Sequence, residues 1–341
     1  MTDLIITNSL IKQFKSCANA TKYKYVDLLT PKMHRSKPLK RGVWFHELLE
    51  AKYKRESVTE AHQRNVAKFN RLSLEEQEIL GDLPTEMASL YAGYKWHYRH
   101  DSSWTIREVE IKLEAELPNG LQAQGKADML IEDEYGLWAV DHKTHLKLPS
   151  EDYRLLDPQA PFYIWLFRQC GIPVRGFIWN YVVPEGPKPL KFKKDGTLYK
   201  VQPAVTDYPT AIKGLTDDQL NNPEVRAILD KLENVRYDED TPQASSMFQR
   251  HRLEPSNETI NRVVTDITHT SNRYIEWLTE RTFDTEHNRQ PERTVSRNCE
   301  WCDFKSLCIS DFTGGNSEGV RHREYVAHDP FDYYEENRAS N

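Results

Sequence analysis

Asp128, Asp141 and Lys143 have the residue types and the spacing for chemistry at a phosphate. The two acids fall in the alternating segments GKADMLIED and GLWAVDHKTH, joined by Glu134-Tyr135-Gly136, and Lys143 follows Asp141 by two residues. Period-two alternation predicts strands, and the glycine-containing joint predicts a hairpin that sets the acids opposite one another with Lys143 on the Asp141 face. Hard divalent cations take oxygen ligands and keep several waters, so two converging carboxylates are enough protein to hold one or two. An adjacent lysine can orient an attacking water or stabilise charge developing on a phosphate. The set is the minimum equipment for phosphodiester hydrolysis, although the same three residues taken alone also read as an ordinary surface ion pair.

A second group is made of thiols. Cys299-Glu-Trp-Cys302 and Cys308 give C-x2-C-x5-C, and Cys17 stands by itself near the N-terminus. Four thiolates close either one iron-sulfur cluster or one zinc site, and spacing does not choose between them. Cys170 fits no ligand spacing and reads as a small buried hydrophobe. An odd cysteine count of five, in a chain with no export signal at its start, argues against a disulfide framework.

The elements that must position these groups follow from periodicity. From Ser9 to about His100 the pattern is helical, with Leu10, Phe14 and Cys17, then Trp44, Leu48 and Ala51, falling three to four apart. Ser73 to Glu76 reads as a capping box, Met87 to Tyr98 as a further helix, and Pro31 to Pro38 as a polar connector. Alternation begins at Trp104 and predicts three strands, a helix over DPQAPFYIWLFRQCG and a strand over GFIWNYVV. Residues 184–210 read as an extended insertion or hairpin, 217–234 and 257–281 as two helices, and 324–341 as a loosely held tail.

The chain has 341 residues, 38% apolar and 29% charged, with a mean hydropathy of -0.75. That suffices for a sizeable core and excludes a membrane span. The 8 Trp, 17 Tyr and 12 Phe exclude a largely disordered chain. A net charge of -6 excludes a simple nucleic-acid coat protein, yet Lys12 to Arg41 holds nine basic residues against Asp27, and Lys188 to Lys200 holds five lysines against Asp195. Such runs are commonly solvated faces and, beside a nuclease centre, phosphate-contacting surface.

The motifs in order, from LKRGVWFHELLE with His46, through G-x-x-D at Gly125 to Asp128 and DHKT at Asp141 to Thr144, to Gln159 and Tyr163 four apart, resemble the PD-(D/E)XK nuclease superfamily in its RecB-like exonuclease branch. The resemblance implies metal-binding carboxylates at Asp128 and Asp141, a backbone-carbonyl ligand at His142 and a nitrogen ligand at His46, the last consistent with activity in Mn²⁺. Lys143 would act on the nucleophilic water, Gln159 and Tyr163 would stand near the active site and bound strand, and Glu110 occupies the place of a family glutamate. The family's second acid is often Glu, here Asp141. An isolated N-terminal cysteine completed by C-x2-C-x5-C is similar to the iron-sulfur arrangement of the AddB and CRISPR-associated Cas-four nucleases. It implies a structural 4Fe-4S cluster on Cys17, Cys299, Cys302 and Cys308, although Ala18-Asn19-Ala20 replaces the Pro and basic residue that usually follow the first cysteine.

The resulting expectation is an α/β, restriction-endonuclease-like mixed central sheet flanked by helices, with an N-terminal helical region and a C-terminal four-cysteine region. It forms one nuclease domain over 1–341: helical region 1–103, catalytic core 104–183, insertion and helices 184–297, iron-sulfur cysteines 298–312 and tail 313–341. The implied activity is a Mg²⁺- or Mn²⁺-dependent DNA exonuclease acting on ends or single strands. It has no ATPase of its own, because no G-x-x-x-x-G-K-S/T loop occurs. The layout is similar to stand-alone Cas-four-like nucleases of bacteriophages, implying phage or bacterial DNA replication, recombination or repair in the bacterial cytoplasm. The implied partners are DNA and recombination or replication proteins, with no membrane. Two further readings stay open: a catalytically weak DNA-end-binding adaptor subunit, and a zinc-stapled endonuclease of the same superfamily.

Overall fold

A computed structural model describes residues 4–33, 36–146, 148–184, 187–203, 206–233, 247–283 and 291–332. Its strands are β1 (Ile5–Thr7), β2 (Leu29–Pro31), β3 (Thr105–Glu116), β4 (Gln122–Asp133), β5 (Gly136–Thr144), β6 (Gly176–Val182), β7 (Phe248–Leu253) and β8 (Tyr325–Ala327). Six of them form one mixed sheet, and β2 pairs with β8 in a separate two-stranded ribbon.

The expected hairpin is β4–β5. Glu134 and Tyr135 make a two-residue turn that pairs Asp133 with Gly136, and Gly136 has φ 122, a backbone conformation that favours glycine. After β5 the chain crosses through the Glu151–Leu156 and Gln159–Gln169 helices to return parallel as β6. Every residue of β6 is buried, as a strand covered on both faces requires. Antiparallel β3 runs along one edge of β4 from residue 105 to 116. The opposite edge of β4 is shared, with β1 pairing parallel to residues 122–124 and β5 antiparallel to residues 129–133. Between them the ladder is open.

One face of the sheet packs Leu113, Ala123, Ala127 and Phe177 against Phe162, Leu166 and Phe167 of the Gln159–Gln169 helix and Ile260 and Ile267 of the Asn257–Phe283 helix. On the other face, Met129, Ile131, Val140 and Ile178 pack with Tyr53 of the Lys37–Tyr53 helix, beneath a layer in which Phe45, Leu49, Met87 and Leu90 interlock. Ser36 opens the Lys37–Tyr53 helix by accepting from Leu39 N–H, with Pro38 in the first turn, and the expected Ser73–Glu76 capping box is formed.

The departures from expectation have local causes. The helix expected over 217–234 is two, Asp217–Asn221 and Pro223–Glu233, because proline at 223 cannot continue the first. The insertion carries its hairpin, bridged at Phe192 and Leu198, and a small core of its own from Leu190, Ala211, Val225 and Leu229. The tail is partly tied down: Tyr325 is buried in the β2–β8 ribbon, while residues 333–341 of the expected tail lie outside the described residues. The strand β7 was not foreseen, since its buried positions include Arg250, which lies between the rings of Tyr98 and Trp104 and pairs with Asp101.

Candidate active site

The opening in the ladder is where the acids lie. Beyond the Met129–Val140 pair the two strands part, and Asp128 Oδ2 takes the His142 N–H at 2.6 Å. Gly125 precedes Asp128 by three residues on β4, and a Cβ there would stand 2.7 Å from Leu166 Cδ1 and 3.2 Å from Tyr163 Cζ. Only glycine lets the Gln159–Gln169 helix lie this close on β4. That helix in turn supplies Gln159, whose Nε2 donates to Asp141 Oδ1 at 2.7 Å. Tyr163, one turn on, is buried and donates its hydroxyl to the Lys126 carbonyl at 3.1 Å, two residues before Asp128.

Lys143 shares the Asp141 face as the alternation predicts. Its Nζ lies 2.7 Å from Asp141 Oδ2 and 5.6 Å from the centre of the Trp179 ring. Lys143 is the one group that meets this buried Asp141 oxygen among the described residues. From the opposite side the Lys37–Tyr53 helix brings His46 Nδ1 to 3.5 Å from Asp128 Oδ2. Glu110 stands across from Asp128 on β3, between the Val109–Met129 and Ile111–Ala127 pairs, and its carboxylate pairs with Lys126 at 2.7 Å. Its φ of 61 is the left-handed region, a strained choice for a side-chain-bearing residue in mid-strand.

The charges in the site are strongly coupled. Burial works against the His46 imidazolium, but the Asp128 carboxylate outweighs it and raises the imidazole to about 9. Burial likewise opposes ionisation of Asp128, yet His46 beside it holds the carboxyl well below the usual range. At Asp141 burial prevails over the pull of Lys143, and with the nearby Asp128 charge it lifts the carboxyl to about 6. Burial disfavours the Lys143 ammonium, but the Asp141 and Asp128 charges more than compensate and raise it. His142, inside the helical layer, is pushed down to about 3 by burial and is neutral. Glu110 is raised by burial.

His46, Glu110, Asp128, Asp141, His142, Lys143 and Gln159 are thus brought to one opening, with Tyr163 packed beneath it. Asn180, Tyr94 and Tyr53 surround the His142 ring and were not foreseen. The available signal was a lone amide in the otherwise apolar and aromatic GFIWNYVV.

Of the two basic runs, the first is largely engaged within the fold. Lys12 pairs with Asp157 at 2.9 Å, Lys22 with Asp27 at 3.1 Å, and Lys37 and Arg41 both with Glu86 at 2.6 Å. In the second run Lys191, Lys193, Lys194 and Lys200 are exposed and pair with no acid among the described residues.

The four ligand-spaced cysteines line one cavity of about 450 Å³. Cys17, Cys302 and Cys308 pack against a small core of Ala20, Tyr23, Phe304, Leu307 and Tyr325. N–H groups point at two of the sulfurs, from Asn19 Nδ2 to Cys308 Sγ and from the Ser296 backbone to Cys299 Sγ, each at 3.5 Å. Burial raises the Cys302 and Cys308 thiols. Cys170 is exposed and apart from this group, not the buried residue expected. Among the described residues no set of three or more His, Cys, Asp or Glu side chains is closed around a metal position, and no helix is long and apolar enough to cross a membrane.

A mixed sheet that opens around two carboxylates and a lysine, flanked by helices, is the restriction-endonuclease-like arrangement. A family model described as the PD-(D/E)XK nuclease superfamily matches residues 6–309, and the chain belongs to that superfamily. Membership makes it a metal-dependent nuclease, of a kind that typically uses Mg²⁺ or Mn²⁺. No curated protein matches the chain. A solved structure titled "Crystal structure of SSO0001" is similar over 91% of this chain and 87% of its own, at 13% identity and a TM-score of 0.33, a likeness too loose to add to the assignment. The donor set fits a hard divalent cation: a buried Asp141 oxygen met by the Lys143 ammonium, beside an ionised Asp128.

Proposed function

We propose that the chain is a single-domain, Mg²⁺- or Mn²⁺-dependent DNA exonuclease, acting on ends or single strands and stapled by an iron-sulfur cluster. The observation that carries the catalytic reading is the meeting of Asp128, Asp141, Lys143 and His46 at the opening between β4 and β5. Asp128, Asp141, the His142 carbonyl and His46 would hold the cation. When bound, it supplies Lewis-acid polarisation of the phosphate and a water acidified for attack. Lys143 then orients that water and balances negative charge developing on the phosphate oxygens. Gln159 fixes the Asp141 carboxylate, and Tyr163, through the Lys126 carbonyl, holds the strand that carries Asp128. Glu110 is an accessory acid held by Lys126. The exposed lysines of 188–200 supply the attraction for the phosphate backbone.

The thiol chemistry at the cavity fits an iron-sulfur cluster on Cys17, Cys299, Cys302 and Cys308: the four cysteines line one space, and two of their sulfurs already receive N–H groups of the sort that stabilise cluster sulfur. Its role is structural, joining residue 17 to residues 299–308 across the catalytic sheet. No two of the five cysteines are joined in a disulfide, in keeping with the bacterial cytoplasm as the setting, with phage or bacterial DNA replication, recombination or repair as the process and their proteins as partners. The experiment is hydrolysis of an end-labelled single strand in Mn²⁺ beside a circular one. Wild type digests the linear strand and spares the circle, and Asp141→Ala digests neither substrate. Equal activity in Asp141→Ala would refute the site, and cutting of the circle would make the enzyme an endonuclease.

A further inference from the structure

On the face of the sheet covered by the Lys37–Tyr53 helix, the His142 ring is held from several directions. In the parallel β5–β6 register Asn180 is its direct neighbour, and Asn180 Nδ2 lies 2.7 Å from His142 Nδ1. The same amide donates to the Tyr94 hydroxyl at 3.0 Å, and that hydroxyl meets the Tyr53 hydroxyl at 2.7 Å. The Tyr53 ring stacks on the imidazole, with centroids 5.8 Å apart and planes 10° from parallel. His46, seven residues earlier and so on the same side of the helix, meets the imidazole edge-on at 5.8 Å. Asn180 and Tyr94 are wholly buried, and His142 nearly so.

A buried amide on a strand whose same-face neighbours are Ile178 and Val182 is expensive, and here Nδ2 makes both of its hydrogen bonds while Oδ1 has no partner among the described residues. Packing alone would be served better by an apolar residue of similar size. What the amide does instead is fix a side chain whose own peptide N–H holds Asp128 at 2.6 Å. A ring pinned at Nδ1, on one face and at one edge leaves its Cα little freedom, so the 142 peptide is pinned as well. We propose that Asn180 is a positioning residue of the nuclease centre, clamping the His142 ring so that its peptide holds Asp128 and presents its carbonyl to the cation. The proposal rests on the reading of the site given above. Tyr94 is the second member of the clamp, because its hydroxyl receives the other arm of the same amide.

The test is Mn²⁺ binding by titration calorimetry to the full chain, as wild type, Asp128→Ala, Asn180→Leu and Tyr94→Phe, with circular dichroism confirming the fold. Asn180→Leu is expected to weaken Mn²⁺ binding about ten- to a hundredfold, in the range that loss of a group supporting a metal ligand produces, and Tyr94→Phe to weaken it less. Wild-type affinity in a folded Asn180→Leu would overturn the clamp while leaving the site standing. Should Asn180→Leu not fold, Tyr94→Phe decides by the same criterion. Wild type that takes up no Mn²⁺ through Asp128 would overturn the functional reading, and the clamp with it.

Discussion

Protons and metal compete for His46, and the competition has a calculable size. Without metal the imidazole is held protonated up to about 9 by the Asp128 carboxylate. A histidine must be neutral to ligate a cation, so below that value binding expels a proton. Each pH unit gained toward 9 then strengthens Mn²⁺ binding about tenfold, or about 1.4 kcal/mol, and the gain ends once the imidazole is already neutral. Between pH 7 and 8.5 the dissociation constant should fall by about thirtyfold. The sign follows from the shift: a raised value favours the protonated, metal-free form, so raising the pH favours the metal-bound one. Asp141, raised to about 6, adds a second proton to be displaced at lower pH and steepens the dependence there. His46→Gln removes the first titration, leaving weaker binding that is nearly flat from pH 7 to 8.5. Titration calorimetry at these pH values, in two buffers of different ionisation heat, counts the released protons directly. Release near zero in wild type at pH 7, or an unchanged slope in His46→Gln, would refute the reasoning.

Two further outcomes are expected. Gly125→Ala forces a methyl to within 2.7 Å of the buried Leu166, so the variant should lose about 1–3 kcal/mol in urea unfolding and lose activity as the helix bearing Gln159 and Tyr163 is pushed off β4. Anaerobically purified protein should be brown, with broad absorption near ~400 nm, and Cys308→Ser should lose the colour and much of its thermal stability; colourless protein with bound zinc would identify the other four-thiolate site.

Much of the centre was legible because it is written in local patterns. The β4–β5 hairpin follows from alternation and its turn, Lys143 follows from the two-residue period, and Gln159 and Tyr163 share a helix face by their spacing. The opening that gives the acids their place was not legible, because it depends on β1. That strand of three residues, too short to show a period, reaches across more than a hundred positions to share an edge of β4. Arg250 hid β7 for a related reason: its charge reads as surface until Asp101, Tyr98 and Trp104 are found around it. Asn180 was visible as an odd residue in its strand, but its partners are His142 on the neighbouring strand and Tyr94 on a helix far away in sequence, and no local spacing names them.

The most direct test of the account is the anomalous scattering of Mn²⁺ in a crystal of the protein. The account predicts a peak about 2.0–2.2 Å from carboxylate oxygens of both Asp128 and Asp141, with His46 turned toward it. A lattice saturated with Mn²⁺ that shows no peak between those two residues, or one seated elsewhere, would contradict it.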